Sequence, residues 1–266
     1  MVWYSTGVGC GFYNMVDRAR LALDDVDTQI EAVMKHFQER QAPMFWFLGP
    51  HTTPSDLGAR LETRGLVYEG DDPAMAVELG ALRPSLDTIA GLSIQQVRDA
   101  AALEHWVETF IVGYEIAGVT VPELLDVHAP LALGAHPPWR HYLDRLHGRP
   151  VATSWPSLGG GVAGIYRVAT RPEARRQGLG AALTLAPLLD ARAMGYGSAY
   201  CNHQRWDTIC IAGWDFRTTA RFTYTRGQRG REIIYHKPEA TVAATGVLTW
   251  EGNQDGFVCE AVERPV

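Results

Sequence analysis

Gly161-Val162-Ala163-Gly164-Ile165-Tyr166-Arg167-Val168-Ala169-Thr170-Arg171-Pro172-Glu173-Ala174-Arg175-Arg176-Gln177-Gly178-Leu179-Gly180-Ala181 is the stretch on which the reading of this chain turns. It predicts a strand, a tight basic turn with two glycines, and a helix carried on by Leu183, Ala186 and Leu189. Such a turn has the physics of a pyrophosphate cradle. Gly178 and Gly180 lack side chains, so backbone N–H groups can come close to an anion. The first turn of a helix leaves N–H groups unpaired and carries partial positive charge. Arg175 and Arg176 add full charges. Neither of the common nucleotide loops is present: there is no Gly-x-x-x-x-Gly-Lys-Ser/Thr and no Gly-x-Gly-x-x-Gly.

Length and composition bound what surrounds this stretch. The 266 residues allow one large domain or two ordinary ones, and 46% hydrophobic residues suffice for a sizeable core. The net charge of −6 argues against a general nucleic-acid binder, which carries a basic stripe. Cys10, Cys201, Cys210 and Cys259 match no Cys-x-x-Cys metal or redox spacing and are expected to be reduced thiols in a cytoplasmic protein. No basic region followed by an apolar run opens the chain, so no signal peptide is expected. No apolar run approaches the roughly 18 residues of a membrane span, so no membrane partner is expected. No metal site is expected either. His128, His136 and His141 lie close in sequence, but no ligand spacing joins them to cysteines or carboxylates, and they read as ordinary loop and strand residues. A nucleophile elbow is also absent.

Along the chain, residues 11–22 predict an early strand. Asp24 and Asp25 then open a helix whose apolar face is Val26, Ile30, Val33, Met34 and Phe37. Met44 to Leu48 reads as a buried strand, and Thr53-Pro54 as the start of a helix through Leu57 and Leu61 to Gly65. Val67 to Leu79 predicts one or two short strands broken at Asp71-Asp72-Pro73, and a domain boundary is expected between Arg83 and Leu92. Ser93 and Gln96 fit a capping box for a helix with Val97, Ala101, Val107, Phe110 and Ile111 on its apolar side. Pro122 begins a second helix. Trp139 to Leu143 and Val151 to Trp155 predict two strands, and Gly159-Gly160-Gly161 a turn into the central strand. After the cradle helix come a strand over Gly195 to Asn202, a short helix over Asp207 to Gly213, and closing strands over Phe216 to Tyr224 and Glu232 to Tyr235. Val247 to Trp250 and Phe257 to Cys259 suggest a hairpin. Pro187 falls inside the cradle helix, so that helix either bends there or is shorter.

The spacing Arg175-x-x-Gly178-x-Gly180 resembles the acyl-CoA-binding motif of the GNAT superfamily of acyltransferases, and Val168-Ala169-Thr170-x-Pro172 resembles the end of that family's fourth strand. The element order over about residues 90–236 is similar to a complete GNAT domain. The preceding part, with Trp46, Gly49-Pro50 and Pro54-x-Asp56-Leu57-Gly58, resembles the degenerate N-terminal half of two-module GNAT proteins. The resemblance implies an α/β (α+β) fold with a mixed central sheet and flanking helices. It divides the chain into a degenerate module at 1–85, an acyl-CoA-binding catalytic domain at 86–237 and an extension at 238–266.

It also implies roles for particular residues. Val168, Ala169 and Thr170 would meet the pantetheine chain through main-chain groups, and Arg175, Arg176, Gln177, Gly178, Leu179, Gly180 and Ala181 would hold the pyrophosphate. Gln204 stands where relatives place an asparagine that meets pantetheine. The position of the family's usual tyrosine acid is Ile211, which has no proton to give; the adjacent Cys210 is the candidate acid in its place. His203, at the end of the fifth strand, is the leading candidate base, because its ordinary pKa lets it accept a proton at neutral pH. Glu115 is the second candidate, and relatives that rely on ordered water keep a base-free route open. Tyr166 and Arg167 are expected on opposite faces of the central strand, one of them toward the acceptor; if that one is Arg167, a carboxylate-bearing acceptor fits. Trp139, Trp155, Trp206 and Trp214 are core residues or the lining of an apolar acceptor pocket.

The reading these features lead to is an N-acetyltransferase that moves an acetyl group from acetyl-CoA to a primary amine of a small molecule by direct attack. Two alternatives stay open: an acyl-CoA-binding sensor without turnover, and altered thioester chemistry such as O-acylation or thioester cleavage. The N-terminal half could cover the acceptor site, form a homodimer surface or fill out the core.

Overall fold

The computed structural model describes residues 1–82, 89–134, 139–202, 217–227, 233–234, 247–253 and 256–262. In chain order its elements are β1 (Val2–Ser5), a 3-10 turn (Gly11–Tyr13), β2 (Asn14–Asp17), α1 (Val26–Glu39), β3 (Met44–Leu48), α2 (Leu57–Thr63), β4 (Val67–Glu78), β5 (Leu92–Gln96), α3 (Ala100–Gly113), α4 (Val121–Ala132), β6 (Tyr142–Leu146), β7 (Arg149–Ser154), β8 (Ser157–Gly159), β9 (Val162–Ile165), β10 (Ala169–Thr170), a second 3-10 turn (Pro172–Ala174), α5 (Leu179–Ala193), β11 (Ser198–Asn202), β12 (Arg217–Gly227), β13 (Ile233–Ile234), β14 (Val247–Asn253) and β15 (Gly256–Val262). The mixed α/β class is the expected one. The chain divides into two compact units, Met1–Pro73 with Ala117–Thr120 and Ala220–Thr241, and Ala74–Ile116 with Val121–Thr219 and Val242–Val266. No helix among the described residues is long and apolar enough to cross a membrane.

In the first unit β1 pairs antiparallel with β2, β2 parallel with β3, and β3 antiparallel with β12. The apolar face expected for α1 is the one it buries: Val26, Ile30, Val33 and Phe37 pack with Val16, Trp46, Leu57 and Leu61. Three local expectations are corrected. The early strand starts only at Asn14, after a 3-10 turn, and β1 precedes it. Helix α2 begins at Leu57 rather than at Pro54, because Thr53 is held in an extended bridge by its N–H to the carbonyl of Ala19. Strand β4 is not broken at Asp71-Asp72-Pro73; it runs through them, and its last residues belong to the second unit.

Besides the β14–β15 hairpin, the described residues of the second unit form two sheets. In one, β11 lies between the end of β4, antiparallel, and β9, parallel, with β8 beside β9. In the other, β10, β7, β6 and β5 follow one another antiparallel. Helix α5 covers both. Its first half, Leu179 and Leu183, packs on Tyr142, Val151 and Ala152; its second half, Leu185, Leu188 and Ala191, packs on Ala163, Ile165, Ala199 and Cys201.

Here too the sequence expectations are adjusted. Ser93 and Gln96 do not cap a helix: they lie in β5, and the cap of α3 is Asp99, whose Oδ1 accepts from the N–H of Ala102 at 2.8 Å. The strand expected from Trp139 lies at Tyr142–Leu146. Pro187 does not end α5. A proline there removes the N–H that would bond the carbonyl of Leu183, and the buried hydroxyl of Ser154 donates to that carbonyl at 3.2 Å instead. The hairpin expected near the end of the chain is β14–β15.

Candidate functional site: a split strand and a helix N-terminus

The stretch predicted as one central strand is shared between two ladders. β9 pairs with β11, whereas β10 pairs with β7. The break is a bulge. Ala169 faces Thr153 across the β10–β7 ladder, yet the N–H of Trp155 donates to the carbonyl of Tyr166 at 2.8 Å, one residue earlier than an unbroken ladder would place it. Arg167 is the extra residue, with φ of 51° in the left-handed region.

The bulge corrects the expectation for Tyr166 and Arg167. Alternation would send them to opposite faces, but an extra left-handed residue resets the alternation. Both reach one aromatic group. The Tyr166 ring lies 5.6 Å from Trp139 and 6.3 Å from Tyr200, Trp139 lies 4.3 Å from Trp155, and the Arg167 guanidinium stands over the rings of Trp155 and Phe110 at 4.9 and 5.5 Å. Gly164 makes this possible. A Cβ there would fall 2.6 Å from the Tyr166 ring, so the ring occupies the space a side chain would need.

The cradle residues form the start of α5. Gly178 is the N-cap with φ of 79°, and no side chain caps the helix. The first helical bond runs from the N–H of Ala182 to the carbonyl of Gly178 at 3.0 Å. The N–H groups of Leu179, Gly180 and Ala181 precede it and have no intrahelical acceptor. At Gly180 the nearest atom to an added Cβ is Thr170 Oγ1 at 4.0 Å, so the protein leaves that side of the turn open. Arg176 and Gln177 are exposed beside it. These donors suit a pyrophosphate, the group the resemblance implies. On the strand side, the N–H of Arg171 donates to Val151 at 2.9 Å. By the antiparallel alternation, Thr170 points its main-chain groups away from β7. Its carbonyl accepts Arg175 Nε at 3.1 Å, so its N–H is the group turned outward.

Arg175 and Glu115 meet each other. Arg175 Nη2 lies 2.8 Å from Glu115 Oε1 and also donates to the carbonyl of Gly113 at 3.0 Å. Trp155 is nearly buried among His128, His141 and Trp139. His203, Gln204 and Cys210 lie outside the described residues, as do Trp206, Asp207, Ile211 and Trp214.

Sequence reading missed a pair. His128 of α4 and His141, just before β6, are both fully buried, with Nδ1 of the first 2.8 Å from Nε2 of the second. Trp106 lies against both rings. Burial, then the neighbouring His141 and Arg167, hold His128 well below the usual imidazole range. Burial and the Arg167 charge bring His141 down to about 3. Both rings are neutral at pH 7. No local signal announces the pair, because the two residues stand 13 positions apart with no motif joining them. Among the described residues no group of three or more His, Cys, Asp or Glu side chains could hold a metal.

No protein-family model matches the chain, and no curated protein is significantly similar to it. Solved structures are. A GCN5-related N-acetyltransferase from Kribbella flavida superposes with a TM-score of 0.60 at 20% identity, over 82% of each chain. One from Sphaerobacter thermophilus gives 0.58 at 16% identity, over 81% of this chain and 71% of that one. A tandem GNAT protein from the clavulanic acid biosynthesis pathway gives 0.51 at 14% identity, over 77% and 69%. The chain has the fold of the GCN5-related N-acetyltransferases. At these identities the likeness is one of fold, and the chemistry must be argued from the site.

Proposed function

We propose that this protein is an acyl-CoA-dependent N-acyltransferase, and that it transfers an acetyl group to a primary amine of a small molecule by direct attack on the thioester. The observation that carries the reading is the open row of N–H groups from Leu179 to Ala181, capped by left-handed Gly178 and set beside a strand split at Arg167. The N–H groups would hold the donor's pyrophosphate, and the main chain of Val168 with the outward N–H of Thr170 would orient its pantetheine arm. The aromatic group around Tyr166, Trp139 and Trp155, with Arg167 in it, would wall the acceptor side. A base must take the proton of the attacking amine, and His203 is the residue we propose for it. We place the reaction in the cytoplasm, with acyl-CoA and a small amine as the binding partners.

Incubation with acetyl-CoA and a panel of amines, following free thiol, tests the reading. Thiol release that depends on an amine supports it. CoA binding without release from any acceptor would instead make the protein a sensor, and release without an amine a thioesterase. Gly178→Leu should abolish CoA binding, since a side chain is strained at that φ and its Cβ would stand 3.6 Å from Cδ1 of Ile89, so the turn could not keep its form. Binding that survived this change would refute the cradle.

A further inference from the structure

We infer that Glu115 and Arg175 form a clasp that positions the donor cradle, and that Glu115 does not act as the base. The inference rests on reading the start of α5 as the donor site.

The end of α3 is a Schellman motif. The N–H of Ile116 donates to the carbonyl of Ile111 at 3.0 Å, and the N–H of Glu115 to that of Val112 at 3.2 Å. The residue between, Glu115, must be left-handed, and its φ is 54°. This is the position that glycine normally takes, because a Cβ is disfavoured there. A glutamate held there has a use for its side chain, and the carboxylate lies 2.8 Å from Arg175 Nη2. The same guanidinium bonds the carbonyls of Gly113 and Thr170. It therefore ties three things: the last turn of α3, the end of β10, and the turn that leads to Gly178. The helix end and the strand are already in contact, since a methyl at Gly113 would stand 2.9 Å from Cβ of Ala169. The turn at 171–178 is anchored at its start by the Arg171 N–H on Val151 and by buried Ala174, and Arg175 is the residue within it whose side chain reaches back to α3. With its carboxylate committed to this guanidinium, Glu115 is a positioning residue. Strain at one helix end is exchanged for a fixed row of donors at the start of another.

The test is a stability change and a binding change of opposite sign. Glu115→Gly relieves the left-handed strain and removes the carboxylate. It should raise the melting temperature by about 2–4 °C while weakening CoA binding, measured by titration calorimetry, by about two- to fivefold. Glu115→Gln should weaken it similarly, raising KM for acyl-CoA while leaving kcat and its pH profile at saturating donor unchanged. Arg175→Ala should weaken it more, and Arg175→Lys, which keeps the charge but not the fork, should restore part of the loss. Loss of kcat in Glu115→Gln together with one limb of the pH profile would make Glu115 the base and overturn the clasp. Unchanged CoA affinity in Glu115→Gly, Glu115→Gln and Arg175→Ala would overturn it while leaving the cradle standing. A wild-type protein that binds no CoA would overturn both.

Discussion

His128 Nδ1 lies 2.8 Å from His141 Nε2, in a site where neither ring has measurable exposure beyond 1%. Two imidazoles that share one hydrogen bond this deep cannot take up protons cheaply. In the unfolded chain each takes one near pH 6.5; in the fold His141 does so only near pH 3, and His128 well below its ordinary value. The unfolded state therefore binds more protons as pH falls from about 6.5 toward 3, and stability is lost in that window. It is fully present above the unfolded value. Thermal unfolding followed by circular dichroism should show the melting temperature dropping below pH 6, as the unfolding free energy falls with a limiting slope of about 1.4 kcal/mol per pH unit for each proton taken up only on unfolding. The His141→Gln variant should have a shallower slope. An equal slope would mean that the pair is not the acid-sensitive element.

Asp144 sets the opposite dependence. It stands in β6 between Ala152 and Ile94 on the neighbouring strands, fully buried, and neither carboxyl oxygen has a partner. Burial pushes its pKa up to about 8. The folded protein holds this proton while the unfolded chain releases it near 4. Stability is thus present below pH 4 and lost as pH rises through about 8. Asp144→Asn cannot ionise, so its melting temperature should equal that of the wild type near pH 4 and exceed it by several degrees at pH 8. A variant less stable at pH 8 than the wild type would show that the carboxylate has a function the fold supports.

Ser154 and Pro187 should be coupled through the carbonyl of Leu183. Ser154→Ala leaves that buried carbonyl without a donor, a loss of about 1–3 kcal/mol in urea unfolding. In a Pro187→Ala background the helix supplies its own N–H, and the same change should cost clearly less. Equal losses in the two backgrounds would disprove the coupling.

Gly164→Ala tests the aromatic wall. A methyl would stand 2.6 Å from the Tyr166 ring and force it aside. On the proposal that Tyr166 walls the acceptor side, KM for the amine should rise about tenfold, a change of about 1.4 kcal/mol, while CoA affinity stays at the wild-type value. A matching loss of CoA affinity would place the ring against the donor instead.

Parts of this molecule were legible because their physics is local. The period of Val26, Ile30, Val33 and Phe37 is the face that α1 buries. Other parts carried two consistent local readings. Ser93-x-x-Gln96 fits a capping box, but the same five residues, Leu92 to Gln96, alternate between half-buried and exposed as a strand does. Pairing with β6, from Leu92 opposite Leu146 to Gln96 opposite Tyr142, decided between them. Tyr166 and Arg167 were misplaced because strand alternation assumes an unbroken ladder, and a bulge occupied by arginine rather than glycine gives no warning in the chain.

The sequence by itself determined the turn that we propose as the donor side. Gly178, Leu179, Gly180 and Ala181 are contiguous, and the left-handed cap and its unpaired N–H groups follow from residue identity within one turn. Only the tertiary structure decided what surrounds that turn. Arg175 reaches Glu115 across 60 residues, Ser154 reaches the carbonyl of Leu183 across 29, and His128 reaches His141 across 13. Each of these contacts exists because ladders and helix packing bring the partners together, and no period or motif in the chain encodes a distance of that kind.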